Sequence, residues 1–169
     1  GNYTVTVTDD NGCTFTTPAV TITEPTLLTA TATKVQDVQC NGASDGIISV
    51  VGSGGTAAVD YTYLWSDGQT TATASGLAPG SYTVTLTDDN GCTVTTPAVT
   101  ITEPTALTAT ATKVQDVQCN GAADGSISVS ASGGTPNYTY LWDDGAGQTT
   151  TTATNLAPGN YTVTVTDGN

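Results

Sequence analysis

The chain repeats itself. Residues 8–46 align with residues 87–125 at an offset of 79, without a gap, and 36 of the 39 positions are identical. The three differences are Phe15/Val94, Leu27/Ala106 and Ser44/Ala123. Tyr3, Tyr82 and Tyr161 keep the same spacing, as do the cysteine pairs Cys13/Cys92 and Cys40/Cys119. The one length change is local. Ala57-Ala58-Val59-Asp60-Tyr61 is two residues longer than Pro136-Asn137-Tyr138, and Asp143-Asp144-Gly145-Ala146-Gly147 regains two residues over Ser66-Asp67-Gly68. Turns lie on the surface and absorb such changes without moving the core-facing positions. A period of 79 exceeds the ~20–50 residues of a solenoid unit. It suits a self-contained β-sandwich, somewhat shorter than the ~100-residue immunoglobulin unit.

The natural phase of the repeat begins after Glu-Pro. Residues 27–105 then form a complete sandwich, residues 1–26 are the C-terminal strands (F and G) of a preceding repeat, and residues 106–169 are a next repeat lacking its last strand. Such a unit leaves a sheet edge and part of a core uncovered, so a neighbouring chain or flanking residues are expected to supply the strand. The expected fold class is all-β, a tandem array of immunoglobulin-like antiparallel sandwiches. Apolar residues alternate with threonine in short runs bounded by Asn-Gly, Asp-Gly and Pro-Gly, the pattern of strands joined by tight turns. In the complete unit, Leu28, Ala30 and Ala32 alternate with Thr29, Thr31 and Thr33 as strand A. Residues 46–51 form strand B, 61–65 strand C, about 70–75 strand E, 82–87 strand F and 92–102 strand G. The internal comparison predicts the facing of strand B. Ile47 and Val51 become Ser126 and Ser130, while Ile48 and Val50 stay apolar as Ile127 and Val129. Side chains alternate faces along a strand, so residues 48 and 50 point inward. Pro97 makes strand G an edge or a bulged strand.

Composition removes several function classes. Lys+Arg number 2 against Asp+Glu 15, a net charge of -13, and there is no histidine. Nucleic acid is excluded as a partner because phosphate recognition needs clustered Lys and Arg. The same scarcity argues against docking on an anionic membrane surface, and no apolar run has the length of a membrane span. Without histidine there is no Ser-His-Asp or Cys-His chemistry and no His-containing zinc site. High net charge favours disorder, but 37% hydrophobic residues in strand-like alternation argue for a packed core. No general base, nucleophile or metal cluster is assembled, so the chain is not expected to be an enzyme.

Four groups of residues are candidates for a specific role. Two cysteines per repeat suit an oxidising extracellular setting, and Cys13, Cys40, Cys92 and Cys119 leave several pairings open. Cys40 with Cys92 would close one repeat. Cys13 with Cys40 and Cys92 with Cys119 would staple neighbours, and pairing with cysteines beyond this stretch is a third arrangement. A bridge needs Cα atoms within ~7 Å, whereas the A–B and F–G turns of an immunoglobulin path lie at opposite ends. The acidic turns Asp9-Asp10-Asn11-Gly12 and Asp88-Asp89-Asn90-Gly91, with Asp45, Asp124, Glu24 and Glu103, offer hard oxygen ligands. No cofactor is required, and calcium is the ion they suit, although Asp and Asn before Gly are also ordinary hairpin chemistry. Ladders such as Thr4-Thr6-Thr8 and Thr29-Thr31-Thr33 give a soluble strand face without charge, with ice or sugar binding as the sharper alternative. Lys34 and Lys113 read as solvated strand-end lysines guarding an edge. Trp65 and Trp142 are expected in the core, with Tyr61, Tyr63, Tyr82, Tyr138, Tyr140 and Tyr161 extending it and keeping hydroxyls at its rim.

Several motifs carry a family resemblance. Cys40-Asn41-Gly42, Asp45-Gly46, Ser53-Gly54-Gly55-Thr56, Tyr61-Thr62-Tyr63-Leu64-Trp65-Ser66-Asp67-Gly68, Leu77-Ala78-Pro79-Gly80, Tyr82-Thr83-Val84 and Asp88-Asp89-Asn90-Gly91-Cys92 together resemble the SprB repeat of Bacteroidetes surface adhesins. Residues 61–92 also resemble PKD-type immunoglobulin-like domains. The resemblance implies large, repetitive cell-surface proteins exported by a type IX-like system, some serving attachment or gliding. It places one cysteine pair in every repeat, which favours Cys40–Cys92. On this reading the array is the stalk or fibre of a secreted adhesin, with neighbouring copies of the repeat and an unknown surface or glycan ligand as partners. The alternative is an extracellular filament self-assembled from the repeats, and an ice- or carbohydrate-binding module is the third reading.

Overall fold

A computed structural model of the chain describes residues 1–56 and 60–169; the inserted residues Ala57, Ala58 and Val59 lie outside the described residues. Among the described residues every regular element is a strand. The first 26 residues hold β1 (Asn2–Tyr3), β2 (Thr6–Thr8), β3 (Thr14–Thr16) and β4 (Val20–Thr21). β1 pairs with β4 and β2 with β3, all antiparallel. The middle of the chain holds β5 (Thr26–Gln36), β6 (Gly46–Gly55), β7 (Thr62–Trp65), β8 (Thr73–Leu77), β9 (Gly80–Tyr82), β10 (Val84–Thr87), β11 (Thr93–Thr95) and β12 (Val99–Ile101). The last part holds β13 (Thr108–Gln115), β14 (Gly125–Ser132), β15 (Thr139–Trp142), β16 (Thr152–Leu156) and β17 (Val163–Thr166).

In the middle of the chain one sheet runs β5-β6-β8 and the other runs β7-β10-β11, with β9 and β12 as a further antiparallel pair. Both sheets send residues into one core. Ile48 and Val50 come from β6, Ala74 and Leu77 from β8, Trp65 from β7, and Val84 and Leu86 from β10; Ile101 of β12 and Val38 complete the cluster. Two sheets sharing one apolar layer make a sandwich. The strand B facing is as the two repeats predict: Ile48 is wholly buried and Val50 nearly so, while Val51 is 71% exposed.

Three strands differ from expectation. Strand F, expected over 82–87, is divided at Thr83 into β9 and β10, which pair with different partners. Strands G and E differ for local reasons. Strand G is split, because Pro97 has no N–H to give to a ladder. Thr96 fills the break from a buried position: its N–H donates to Val84 O (3.0 Å) and its Oγ1 accepts from Val84 N (3.3 Å). Strand E is found at Thr73–Leu77 rather than about 70–75. Residues 69 and 71 are taken up by the preceding turn, where Trp65 N donates to Gln69 O (2.9 Å) and the Trp65 indole Nε1 donates to Thr71 O (2.8 Å).

The same arrangement recurs in β13–β17, with Val129, Trp142, Ala153 and Leu156 buried. Val163 and Val165 are half-buried, where their counterparts Val84 and Leu86 are wholly buried. In residues 1–26, Val5, Val7, Phe15 and Ile22 are 60–68% exposed. They occupy the repeat positions of Val84, Leu86, Val94 and Ile101.

The path of the chain through the middle sandwich matters most for function. Thr26, where β5 begins, pairs with Gly55 at one end of the β5–β6 hairpin. The chain leaves at the other end, where Val38 N donates to Thr102 O (3.0 Å) and Ile101 packs over Gly46. The 10-residue strand β6 separates these ends, about 33 Å at ~3.3 Å per residue.

Candidate functional site at the junction between repeats

The segment joining β12 to β13 is gripped along its length. Asp37 accepts the Thr102 N–H at 2.7 Å. Glu103 accepts the Gly42 N–H at 2.6 Å, and Asn41 Nδ2 donates to Pro104 O at 3.0 Å. Thr105 O then accepts the N–H of Gly134, in the turn after β14, at 2.7 Å. Asn169 Nδ2 reaches across to Gln39 O and also donates to Thr135 Oγ1 at 2.6 Å. The linker is therefore tied to the β5–β6 loop behind it and to the β14–β15 turn ahead. Proline removes one further rotation, since its ring fixes φ. Lys34 completes the loop with an ion pair to Asp37 at 2.7 Å. That ammonium, and next the Thr102 N–H, hold the Asp37 carboxyl below its ordinary range. Lys34 thus has an acid partner, which strand-edge reasoning alone did not supply, and Lys113 pairs with Asp116 in the same way at 2.8 Å.

The turn aspartates are engaged with backbone amides. Asp88 is buried, and its Oδ1 accepts N–H groups from Cys92 (2.8 Å) and Asn90 (3.1 Å), its Oδ2 from Thr56 (2.9 Å). These bonds, Thr56 foremost, hold its carboxyl below the ordinary value against the opposing pull of burial. Asp9 accepts from Asn11 and Cys13 in the same fashion. Asp45 accepts from Gln39 N (3.1 Å) and Asp124 from Gln118 N (3.0 Å). Asp10 and Asp89 stand at exposed turn tips, and Glu24 is exposed ahead of β5. Among the described residues no three acidic, Cys or His side chains converge in a way that could hold a metal ion. The structure therefore does not gather the candidate calcium ligands: a carboxylate in a tight turn satisfies the turn's own N–H groups first.

All four cysteines are free and exposed. The Cys40–Cys92 bridge is out of reach. Cys92 lies by Asp88, which contacts Gly55 and Thr56 where β6 ends, whereas Cys40 follows Gln36, which pairs with Ile47 where β6 begins. A strand length of ~33 Å separates two groups whose Cα atoms would have to lie within ~7 Å. Cys92–Cys119 fails more widely, because Cys119 lies beyond β13, at the far end of the following sandwich. The same register places Cys13 and Cys40 at ends of consecutive repeats that do not meet.

The aromatic residues line the sandwich interior and its rim. Trp65 and Trp142 are each 2% exposed, with indole N–H groups bonded to Thr71 O and Thr150 O. Tyr82 and Tyr161, half-buried, donate to Ala78 O and Ala157 O at 2.8 Å. This corner pins the chain as it enters strand F. Tyr61 and Tyr138 donate to Gly54 O and Gly133 O, and Tyr63 and Tyr140 pack against the two cores. The threonine faces pair their hydroxyls across strands: Thr29 with Ser53 (2.8 Å), Thr85 with Thr95 (2.9 Å) and Thr6 with Thr16 (2.8 Å). Such pairs stabilise a sheet modestly. Gln39 and Asp37 were not singled out by sequence reasoning, and Asn41 entered only within the Cys40-Asn41-Gly42 motif. The available signal was the exact return of Asp-Val-Gln-Cys-Asn-Gly at 37–42 and 116–121, together with Glu-Pro-Thr at 24–26 and 103–105.

These features define an all-β tandem repeat whose polar groups serve its turns and its junctions. Two segments, residues 32–70 and 111–147, match the SprB repeat family. The two matches begin 79 residues apart, the period found within the chain itself. The family is a structural repeat of cell-surface, adhesin-type proteins rather than an enzyme family. No curated protein matches the chain. Among the described residues no helix is long and apolar enough to cross a membrane.

Proposed function

We propose that the chain is a spacer stretch of a secreted bacterial surface adhesin, built from sandwiches of the 27–105 type joined head to tail. On this reading residues 1–26 are the closing strands of one repeat and residues 106–169 are the body of the next. The array stands outside the cell and holds a distant adhesive tip away from the surface. The observation that carries this reading is the gripped linker: Glu103 and Pro104 are held from behind by Gly42 and Asn41, and Thr105 from ahead by Gly134. With the chain crossing each sandwich from end to end, such a linker converts copy number into length. An adhesin stalk needs that property, whereas a catalyst or a single ligand-binding module does not.

Small-angle X-ray scattering on arrays of increasing repeat number tests the proposal. The maximum dimension should grow linearly, by on the order of 35–40 Å per repeat from the strand rise and linker. The paired substitutions Asn41→Ala and Glu103→Ala should shorten and broaden the distance distribution while changing the melting temperature little. Growth as the square root of repeat number is the behaviour of a flexible chain and would contradict the stalk. A cross-section thicker than one sandwich would favour the lateral filament instead.

A further inference from the structure

We infer that residues 13–25 of one copy of this chain seat in the 106–169 sandwich of a second copy, so that copies join end to end by strand donation. Such joining goes beyond the stalk, which concerns repeats within one chain. The acceptor is a groove of about 480 Å³ lined by Gly125 and Ile127 of β14, Leu156 of β16, and Val117 and Tyr161. In the middle sandwich the corresponding groove is filled by β12. There Ile101 is 1% exposed, and a methyl group on Gly46 would come within 2.7 Å of its Cγ2. Val99, Thr100 and Ile101 pair with Tyr82, Ser81 and Gly80. Thr102 N donates to Asp37, and Thr102 O accepts from Val38 N. At the offset of 79, Gly46, Tyr82, Asp37 and Val38 become Gly125, Tyr161, Asp116 and Val117. Val38 is 3% exposed, whereas Val117 is half-buried. Residues 80–82 form β9, whereas residues 159–161 lie outside any strand. β10 is flanked by β7 and β11, whereas β17 pairs with β15 alone. The groove and the free edge of β17 together have the outline of β12 and β11.

The chain itself carries a strand of that outline. Residues 13–25 repeat residues 92–104, which hold β11 and β12, with the single change Phe15 for Val94. They pair with β1 and β2 in a hairpin whose Phe15, Val20 and Ile22 are 61–68% exposed. A lone two-stranded hairpin is marginally stable in water, so leaving it costs little against burying these side chains in a sandwich. In the register of the middle sandwich, Ile22 covers Gly125, Val20 lies opposite Tyr161, and Thr23 meets Asp116 and Val117. Glu24 and Pro25 then reach Gly121 and Asn120, the counterparts of Gly42 and Asn41. The donor cannot serve its own chain. Pro25 directly precedes β5, whereas the last sandwich follows the opposite end of the 10-residue β6, ~33 Å away. Donor and acceptor are different surfaces, so the contact is heterologous and adds copies in series. Each copy carries a net charge of -13, so the association strengthens as salt screens the repulsion.

Analytical ultracentrifugation of the 169-residue chain tests this, with reductant present because all four cysteines are exposed. Species at multiples of 16.9 kDa should appear as concentration rises, and more of them at higher salt. Ile22→Asp disables the donor and Val117→Asp the acceptor. Ile22 is exposed and Val117 half-buried, so each variant should keep the parent melting temperature and run as a monomer. Mixed in equal amounts, the two variants should form a dimer and nothing larger, because one brings an intact groove and the other an intact strand. A synthetic peptide of residues 13–25 probes the groove without any substitution: it should bind one per chain and break the series down. A parent chain that stays at 16.9 kDa at millimolar concentration, association that persists in Ile22→Asp, variants that fail to combine, or a peptide that does not bind would each overturn the proposal. Monomeric chains whose longer arrays still lengthen linearly in scattering would sink strand donation and leave the stalk standing.

Discussion

Replacing Trp65 by alanine should cost the middle sandwich ~3–5 kcal/mol, the usual range for emptying a buried aromatic site. Trp65 is 2% exposed and reaches both sheets of the core, and its indole N–H ties the turn before β8 to Thr71 O. Truncation removes packing, opens a cavity in the core that Trp65 shares with Val84 and Ile48, and leaves Thr71 O without its partner. Protection of the Ile48, Val84 and Leu86 amides against hydrogen exchange should fall by roughly two to four orders of magnitude, since 1.36 kcal/mol is tenfold. The same position read as an outward-facing sugar platform would lose less than ~0.5 kcal/mol, as surface substitutions do. A small loss would therefore remove Trp65 from the core and the sandwich with it.

Gly54→Ala should be nearly as damaging, and Gly42→Ala much less so, although the two glycines have almost the same backbone. Their φ angles are +79° and +78°, a region that costs a residue with a Cβ about 1–2 kcal/mol. The difference is space. A methyl group on Gly54 would lie 1.9 Å from Leu27 O, whereas one on Gly42 meets nothing within 4 Å. The Leu27 carbonyl belongs to the start of β5, so the clash can be relieved only by unpairing β5 from β6. Denaturant melts of the two variants check this: Gly42→Ala should lose only the conformational cost, and Gly54→Ala at least twice as much. Equal losses would mean that β5 does not approach Gly54 as described. The pair also separates the two uses of glycine here, a turn in open solvent and a close approach of two strands.

Much of this architecture is legible from the sequence because the chain carries its own comparison. Substitution of Ile47 and Val51 by serine in the second copy, with Ile48 and Val50 kept apolar, orients strand B without any structure. Alternation and turn residues place most of the remaining strands. The Trp65 indole's bond to Thr71 O delays strand E, and Thr96 with Pro97 divides strand G; both depend on side chains meeting backbone in three dimensions. The junction was the least legible part. Cysteine spacing says nothing about which ends of neighbouring sandwiches touch, and that alone decides which thiols can meet. The carboxylates are ambiguous in sequence for a related reason. An Asp-Asp-Asn-Gly run looks alike whether its oxygens face a cation or its own turn, and Asp88 faces Thr56, Asn90 and Cys92.

The central claim is that the 79-residue unit is a self-sufficient sandwich needing no bridge of its own. Excised residues 27–105, melted with and without a thiol reductant, test this most directly. A single cooperative transition at the same temperature in both conditions, with β-sheet circular dichroism below it, is the predicted result. A random-coil spectrum, or a fold that survives only while oxidised, would contradict it.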